Sequence, residues 1–306
     1  MELKAESGHN MLSENHALGI RIGSVCCALR CRDDKEYQKL HQLYHDFLTE
    51  EPADIVIDLE VTDHLNPRDL DEVFSETMFS HEGGRFWTNS RIVTGQYDLA
   101  NRIIKITAER SLGNPELEFN HLNRLITMAY YSGCKVKYNG SSPPALLVHA
   151  CGILRYGKAI VFAGPSGAGK TSIAHLCDKR RGQIINDEMV MISRPISGSN
   201  GITAQGVPVI GGVSSHGNMS APLRCILLLK RSGRTSINYL DKAEAYLRFI
   251  RQVITPAHIG QRSGREVYSL MADFSTELVK SIPIYELEFN LDKITLWQAV
   301  SELEGI

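Results

Sequence analysis

The sequence predicts an α/β protein in which a phosphate-binding loop connects a buried strand to a helix. Residues 164–171 read Gly-Pro-Ser-Gly-Ala-Gly-Lys-Thr, which is the G-x-x-x-x-G-K-[ST] pattern of a P-loop. An apolar run at residues 159–163 predicts a strand that enters the loop, and the run from Thr171 predicts a helix that leaves it. Beyond the loop, short β-like segments are interspersed with helical ones, which is typical of mixed α/β folds.

A break in the chain divides the sequence into two parts. Residues 139–144 read Asn-Gly-Ser-Ser-Pro-Pro, and such a cluster of turn-forming residues indicates a linker. A chain of 306 residues has the length of one large or two medium domains. We therefore expect a small α+β N-terminal domain over residues 1–140 and a P-loop domain over residues 145–306.

The spacing of apolar residues predicts the elements of the first part in order. Asp33 or Asp34 can cap a first helix, and Asn114 can cap a second one that opens on Pro115 and ends at Gly133. The predicted elements are a strand at 19–28, a helix at 33–50, strands at 55–61, 85–93 and 102–108, and a helix at 114–133.

In the second part the predicted strands are short and follow one another closely. A tight hairpin turn is expected at residues 155–158. The predicted strands are 145–148, 153–156, 159–163, 183–186, 189–192, 202–207, 225–229 and 236–239. The predicted helices are one from the loop to about residue 181, and others at 242–254, 275–281 and 292–303.

Composition and charge narrow the function classes. The chain is 43% hydrophobic and 22% charged, which suits a packed core rather than disorder. The formal net charge of −2 supplies no overall basic field, so we expect no nucleic-acid partner. No apolar run approaches the roughly 18 residues that cross a membrane, and residues 1–16 lack the apolar centre of a secretory signal. We expect a cytoplasmic protein without a membrane partner.

The seven cysteines are odd in number, and no C-x-x-C pair occurs among them. Nothing at zinc-finger spacing follows the cluster of Cys26, Cys27 and Cys31. We expect reduced, mostly buried thiols, because disulfides are rare in the cytosol. A redox or metal role is the alternative.

The loop predicts a site for ATP. Glycines at 164, 167 and 169 permit backbone angles and close approaches that a side chain would block. Backbone amides then face the phosphates, Lys170 reaches the β- and γ-phosphates, and the Thr171 hydroxyl can ligate Mg²⁺. A chance glycine-rich turn is the alternative, and the flanking strand and helix argue against it. The predicted nucleotide-binding residues are Gly164, Pro165, Ser166, Gly167, Ala168, Gly169, Lys170, Thr171 and Ser172.

Two carboxylates end the next apolar strand. Asp187 and Glu188 follow residues 183–186 and begin 17 residues after Lys170, so we expect their strand to lie close to the P-loop strand. Adjacent strand residues point to opposite faces, so both can serve one site only if the strand ends and the chain turns there. Magnesium and hydroxyl chemistry needs such a group. A solvated turn is the alternative.

Residues 148–172, Val-His-Ala-Cys-Gly-Ile-Leu-Arg-Tyr-Gly-Lys-Ala-Ile-Val-Phe-Ala-Gly-Pro-Ser-Gly-Ala-Gly-Lys-Thr-Ser, resemble the core of HPr kinase/phosphorylase and its relatives. The resemblance covers about residues 145–230, and the matching positions are His149, Gly157, residues 164–172 and Asp187. It implies the HPr kinase C-terminal-domain fold, a P-loop fold shared with phosphoenolpyruvate carboxykinase. Residues 206–212 and 221–229 resemble a branch that includes kinases of lasso-peptide precursors.

This chain departs from the family pattern at two points. Glu188 stands where the family has a second Asp, and the downstream acidic-Arg-Gly signature of the reverse phosphorylase reaction is not recognisable. We therefore expect neither phosphorylase activity nor HPr itself as the substrate. Homo-oligomers are common in the family, so the resemblance also implies a homo-oligomer.

The P-loop and the resemblance together predict an ATP- and Mg²⁺-dependent serine kinase. Its acceptor would be a peptide or small protein, with a ribosomally made precursor peptide as one example. In this interpretation Asp187 accepts the hydroxyl proton, Lys170 offsets charge on the transferring group, and Thr171 and Glu188 bind Mg²⁺. His149 would lie at the end of a neighbouring strand near the γ-phosphate, although a histidine there is also compatible with a simple core position.

Other functions stay open at the level of sequence. A nucleotide-binding regulatory module or an ATPase without phosphotransfer would also need the P-loop, and a small-molecule kinase would need the same catalytic groups. The acceptor site is unassigned. Residues 255–267 contain Pro256, Gly260, Arg262 and Arg265 and resemble a mobile binding loop, but an exposed basic connection is the favoured interpretation.

Overall fold

The computed structural model describes residues 16–63, 79–82, 85–88, 93–98, 100–109, 115–138, 144–177, 182–194, 201–213, 217–254 and 261–304. Within these ranges two β-sheets and six α-helices form a mixed α/β fold, which confirms the predicted class at that level. The strands before residue 110 belong to one sheet, and the strands after residue 144 belong to the other.

The first sheet has seven strands in the order β1-β2-β3-β7-β6-β5-β4. Its strands are β1 His16–Ile22, β2 Val25–Cys31, β3 Ile55–Thr62, β4 Phe79–Glu82, β5 Arg85–Thr88, β6 Val93–Asp98 and β7 Ile103–Glu109. The pairs β2–β3 and β3–β7 are parallel, and the other pairs are antiparallel. Helices α1 (Asp34–Leu43) and α2 (Pro115–Lys137) accompany this sheet.

Several predicted boundaries in this part are wrong. The single strand at 19–28 is a hairpin of β1 and β2 that turns at Gly23, where φ is 60°. Helix α1 is capped by Asp33, whose side chain accepts from the Glu36 N–H, but it ends at Leu43. Gly133 does not end α2 but lies inside it. An added Cβ at this position would lie 2.3 Å from the Val25 side chain, so the glycine allows close packing of the helix against β2. Asn114 and residues 139–143 of the expected linker lie outside the described residues.

The second sheet has the order β10-β8-β11-β12-β13-β15-β14, and β9 pairs with both β8 and β13. Its strands are β8 Ala145–Arg155, β9 Lys158–Ala163, β10 Gln183–Asn186, β11 Met189–Ser193, β12 Thr203–Gln205, β13 Ser220–Arg231, β14 Ser236–Tyr239 and β15 Ile284–Phe289. Its helices are α3 Lys170–Leu176, α4 Lys242–Phe249, α5 Gln261–Ser281 and α6 Lys293–Glu304.

Two long strands change partners along their length. The start of β8 pairs with β11, and its end pairs with β10 on one side and β9 on the other. Strand β13 likewise pairs first with β12 and then with β9 and β15. The sequence predicts two strands, 145–148 and 153–156, where the structure has the single strand β8, and it does not predict β15. Strand β10 is not next to β9, because β8 lies between them.

Helix α2 joins the two sheets. The Tyr130 hydroxyl donates to the carbonyl of Ala145 at 3.0 Å, and the Tyr131 hydroxyl donates to the carbonyl of Ile254 at 2.6 Å. One buried apolar cluster includes side chains from both sheets, such as Ile57 and Ile226. The two sheets therefore share a core.

None of the seven cysteines forms a disulfide and all of them are buried, which confirms the expectation of buried thiols. Burial raises the pKa of Cys27 and of Cys134 to about 12, so these thiols stay protonated at neutral pH. None of the helices in the described part of the chain combines the length and apolar character that a membrane span requires.

Candidate functional site

A tight hairpin leads into the P-loop. Strands β8 and β9 are joined by Tyr156 and Gly157, whose φ values are 48° and 73°, and Arg155 pairs with Lys158 across the turn. Two consecutive positive φ values are the signature of a type I′ turn, whose twist matches that of the two strands of a hairpin. The predicted turn at residues 155–158 is confirmed, and β9 carries the chain into the loop through five buried residues.

Three positions of the loop, 164, 167 and 169, require glycine for different structural reasons. Gly167 and Gly169 have φ values of 78° and 109°, which other residues adopt only with strain. A Cβ on Gly169 would also lie 2.7 Å from the ring of Phe289, and a Cβ on Gly164 would lie 2.8 Å from Ala168. The glycines therefore allow the loop backbone to adopt this conformation and to pack closely against Phe289 of the sheet.

The loop is open at its tip and buried at its base. Pro165, Ser166 and Gly167 are exposed, while the Lys170 side chain lies inside and the residue is only 5% exposed. Of the other predicted nucleotide-binding residues, Gly164 and Gly169 are buried. Ala168, Thr171 and Ser172 are partly exposed. A ligand can thus approach the tip without displacing protein.

The Lys170 ammonium is fixed across the loop. Nζ donates to the carbonyls of Gly164 at 3.0 Å and Pro165 at 3.1 Å. An ammonium has three donors, so one remains for a further acceptor such as a phosphate oxygen. Burial lowers the pKa of Lys170, and the nearby charges of Glu188 and Asp187 act in the opposite direction.

Asn186 turns the chain at the acidic pair. Its Oδ1 accepts the backbone N–H of Glu188 at 2.8 Å and that of Met189 at 2.9 Å, and its Nδ2 donates to the carbonyl of Val209 at 2.8 Å. Side chains of Asn favour such local turns because they replace backbone hydrogen bonds. Asp187 and Glu188 therefore lie in a turn between β10 and β11. Because the strand ends and the chain turns there, both carboxylates can serve one site.

Asp187 is held in a closed, polar cradle. The residue is 1% exposed, and its carboxylate accepts from the N–H groups of Gly212 at 3.1 Å and Val213 at 3.2 Å and from the Thr171 hydroxyl. A Cβ on Gly211 would lie 1.8 Å from Asp187 Oδ1, so only glycine fits there. Burial raises the pKa of Asp187 above its usual range, although these hydrogen bonds oppose the shift.

Glu188 contacts His149 rather than Thr171. Its Oε1 lies 3.3 Å from His149 Nε2, and 42% of its side chain is exposed. Burial acts to raise the pKa of Glu188, but the hydrogen bond and charge of His149 and the charge of Lys170 outweigh it, so the pKa lies below its usual range. His149 itself lies within β8, paired with Met189, and not at the end of a strand as the sequence predicts.

The oxygen donors beside the loop fit a nucleotide-bound Mg²⁺. In the described part of the chain no group of three or more His, Cys, Asp or Glu side chains is arranged to hold a metal ion. Mg²⁺ at nucleotide sites needs only one or two protein oxygens, with phosphates and waters completing its shell. Thr171 and Asp187 offer such oxygens in contact with each other. Their contacts favour Asp187 over Glu188 as the acidic partner of Thr171.

A cavity of about 450 Å³ adjoins the loop. It is lined by His149 of β8, by Gly164 and Pro165 of the loop, and by Arg248 and Arg251 of α4 and the short 3₁₀-helix Ile250–Gln252 that follows it. In the segment 255–267, where an exposed basic connection is the favoured interpretation, residues 255–260 lie outside the described residues, and the chain from Gln261 is helix α5.

Sequence reasoning missed several contributors to this site, namely Asn186, Gly211, Gly212, Val213, Arg248 and Arg251. Asn directly before two carboxylates is a turn signal, and paired glycines at 211–212 mark a close backbone approach. Arg251 carried no signal, because its proximity to the loop depends on tertiary structure. No protein-family model and no curated protein matches this chain.

Proposed function

We propose that this chain is an ATP-dependent kinase that transfers the γ-phosphate to a serine hydroxyl of a peptide or small protein. One observation carries the proposal: two adjacent carboxylates lie near Lys170 and contact different partners. Asp187 contacts Thr171, while Glu188 contacts His149. A site that must both hold a metal-bound nucleotide and activate a hydroxyl needs two such groups.

The loop and Asp187 would hold the nucleotide. Backbone amides of the loop would donate to phosphate oxygens, and Lys170, already fixed by Gly164 and Pro165, would contact the β- and γ-phosphates. Thr171 and Asp187 would hold Mg²⁺, which neutralises phosphate charge when bound. The N–H groups of Gly212 and Val213 keep the Asp187 carboxylate in place beside Thr171.

Glu188 would accept the proton of the incoming hydroxyl. The new bond joins the serine oxygen to the γ-phosphorus, and the bond from that phosphorus to the β,γ-bridging oxygen breaks. ADP leaves with the bonding electron pair, and the hydroxyl proton moves to the Glu188 carboxylate. His149 orients this carboxylate through the 3.3 Å contact. This assignment differs from the sequence-based one, in which Asp187 is the base and Glu188 binds the metal.

We also infer that the fold is the P-loop fold of HPr kinase and phosphoenolpyruvate carboxykinase. Three features support this inference: the β8–β9 hairpin directly before the loop, the short distance in sequence from Lys170 to Asp187, and the placement of β9 between antiparallel β8 and parallel β13. The resemblance of residues 145–230 points in the same direction.

A second candidate function is ATP hydrolysis without transfer to a protein hydroxyl. Its support is the exposure of the Glu188 side chain, 42%, which lets water reach the same base. Such an enzyme could act as a nucleotide-dependent regulatory module. A small-molecule kinase would use the same groups with a smaller acceptor.

Labelled ATP separates these candidates. Purified protein would be incubated with [γ-³²P]ATP, Mg²⁺ and a degenerate library of serine-containing peptides, and with a panel of small hydroxyl compounds. We expect label in peptide, lost in Glu188→Gln. Label found only in inorganic phosphate would contradict the kinase and support the ATPase, and label only in a small compound would identify a small-molecule kinase.

A further inference from the structure

We propose that the acceptor carries a carboxylate or phosphate close to its reacting hydroxyl, and that Arg251 binds this anion in the cavity beside the P-loop. The inference rests on the proposed kinase function and names the chemistry of its acceptor. In peptide form the acceptor is a serine with a neighbouring acidic residue. A small hydroxy acid offers the same two groups.

The position of the cavity indicates an acceptor site. Its lining includes Gly164 and Pro165, where the loop begins, and His149, the partner of Glu188. Asp187, Glu188 and Thr171 are not among its lining residues. The cavity reaches the acidic pair through His149, the residue that contacts Glu188, and this is the side from which the hydroxyl would enter. A volume of about 450 Å³ is within the range of ligand pockets.

The two arginines of the cavity differ in their charge balance. Arg248 is paired with Glu286 at 2.8 Å and with Glu244 at 3.2 Å. No carboxylate of the described residues lies within ion-pair distance of Arg251, which is exposed. Arg251 thus contributes an uncompensated guanidinium, a planar donor group that matches carboxylate and phosphate oxygens.

The backbone that carries Arg251 is tied to the strand that carries His149. Val253 forms a β-bridge with Val148, and the Ile254 N–H donates to the carbonyl of Leu147 at 2.8 Å. These contacts fix the 3₁₀-helix next to β8. The anion and the hydroxyl of one acceptor would therefore meet groups whose backbones are connected by short, ordered contacts.

The test compares acceptors that differ only in charge. Peptides with serine followed by glutamate would be paired with otherwise identical peptides that have glutamine there, and free serine would be paired with its methyl ester. Phosphotransfer by the wild type, Arg251→Gln, Arg251→Lys and Lys242→Gln would be measured as kcat/KM. Lys242 is an exposed residue of α4 outside the cavity, so Lys242→Gln is the matched control for loss of one positive charge.

For the wild type we expect kcat/KM to be about tenfold to a hundredfold higher for the acidic member of a pair, the range that a charge-assisted hydrogen bond supplies. Arg251→Gln should remove this preference through KM for the acceptor, Arg251→Lys should restore part of it, and Lys242→Gln should keep it. A preference among peptides identifies a peptide acceptor, and a preference only between free serine and its ester identifies a hydroxy acid.

Three results would overturn the inference. Equal rates for the members of each pair would show that no anion is recognised. An Arg251→Gln variant that raises KM for ATP alone would place the guanidinium on the nucleotide. Retained acidic preference in Arg251→Gln would assign the recognition elsewhere. Absence of transfer to every acceptor would instead contradict the kinase itself, so the two failures are distinguishable, with melting temperatures showing that each variant is folded.

Discussion

His149 Nε2 lies 3.3 Å from Oε1 of Glu188. This contact distinguishes Glu188 from its neighbour in sequence, Asp187, which has other partners. Asp187, one residue earlier, faces Thr171 and the backbone N–H groups of Gly212 and Val213. One carboxylate is thus buried beside the loop, and the other is partly exposed beside a histidine. Replacement of each carboxylate by an amide should therefore have different effects at Asp187 and at Glu188.

Removal of one charge at a time should reveal this difference. Glu188→Gln should keep Mg²⁺-dependent ATP affinity and lower kcat by about 10²- to 10⁴-fold, the usual contribution of a general base. Asp187→Asn should instead weaken ATP binding in the presence of Mg²⁺ and change it little without Mg²⁺. Titration of a fluorescent ATP analogue, with and without Mg²⁺, would be combined with single-turnover transfer.

Each variant serves as the control for the other, because both replace a carboxylate by an amide of the same size. If Asp187→Asn kept full affinity for MgATP and Glu188→Gln lost it, the roles would be those predicted from the sequence. Equal losses in both measurements would mean that the two carboxylates act as one unit.

Gly211 should tolerate no side chain. Gly211→Ala would place a Cβ 1.8 Å from Asp187 Oδ1, so the carboxylate or the 211–213 backbone must move. We expect a loss of about 1–3 kcal/mol in stability, as for other overpacked sites, together with weaker binding of MgATP. Denaturant unfolding and nucleotide titration would measure the two effects.

Gly233→Ala is the matched control, since nothing lies within 4 Å of an added Cβ there and its φ is not in the left-handed region. It should leave both stability and affinity nearly unchanged. Wild-type affinity in Gly211→Ala would show that the cradle around Asp187 adapts at no cost to nucleotide binding.

Binding of MgATP should weaken as pH falls through the raised pKa of Asp187. Burial shifts this pKa above its usual value of about 3.9, and a protonated carboxyl no longer attracts Mg²⁺. Asp187→Asn removes the titrating group, so its affinity profile should lack that step. Titrations from pH 8 downwards on both proteins would test this, and parallel profiles would argue against a titrating Asp187.

The same shift has a consequence for the nucleotide-free protein. Because the folded-state pKa of Asp187 is above the unfolded value, its favourable contribution is fully present below the unfolded pKa and is lost as pH rises through the folded pKa. The stability of the wild type should therefore fall relative to Asp187→Asn from about pH 4 upwards. Urea unfolding at several pH values would show the changing difference.

Asn186 should be important for both folding and catalysis. Asn186→Ala leaves the N–H groups of Glu188 and Met189 and the carbonyl of Val209 without their partner. Unpaired buried groups of this kind should cost about 2–4 kcal/mol in total, and the turn that separates the two carboxylates should relax. Asn238→Ala, at an exposed position, should cost little. A small effect of Asn186→Ala on both stability and kcat would show that the backbone alone maintains the turn.

Local signals in the sequence were sufficient for the strand and helix on either side of residues 164–169, the hairpin at residues 155–158, and strands such as β10 and β14. These features depend on glycine conformation and apolar spacing, which act over a few residues. The prediction failed where tertiary contacts decide. Gly133 reads as a helix end but is a packing contact with Val25, and β8 reads as two strands because its partners change midway.

The candidate site shows the same limit. The sequence points to Lys170, Asp187 and Glu188 as candidates, but it cannot say which carboxylate contacts Thr171. That choice is made by Asn186 and by the glycine pair at 211–212, which lie up to 25 residues from the carboxylates. Arg251 is brought to the site by long-range contacts, the bridge between Val253 and Val148 and the hydrogen bond from the Ile254 N–H to the Leu147 carbonyl.

One contact of helix α2 bears on how far this protein can be cut. Asn123 Nδ2 donates to the carbonyl of Ile210, and the Ile210 N–H donates back to Asn123 Oδ1, both at 2.7 Å. Ile210 directly precedes the glycines that hold Asp187. A fragment that begins at residue 145 would keep the whole P-loop yet lose this anchor, so its metal-side carboxylate would be poorly placed. The smallest active unit should therefore extend back through α2.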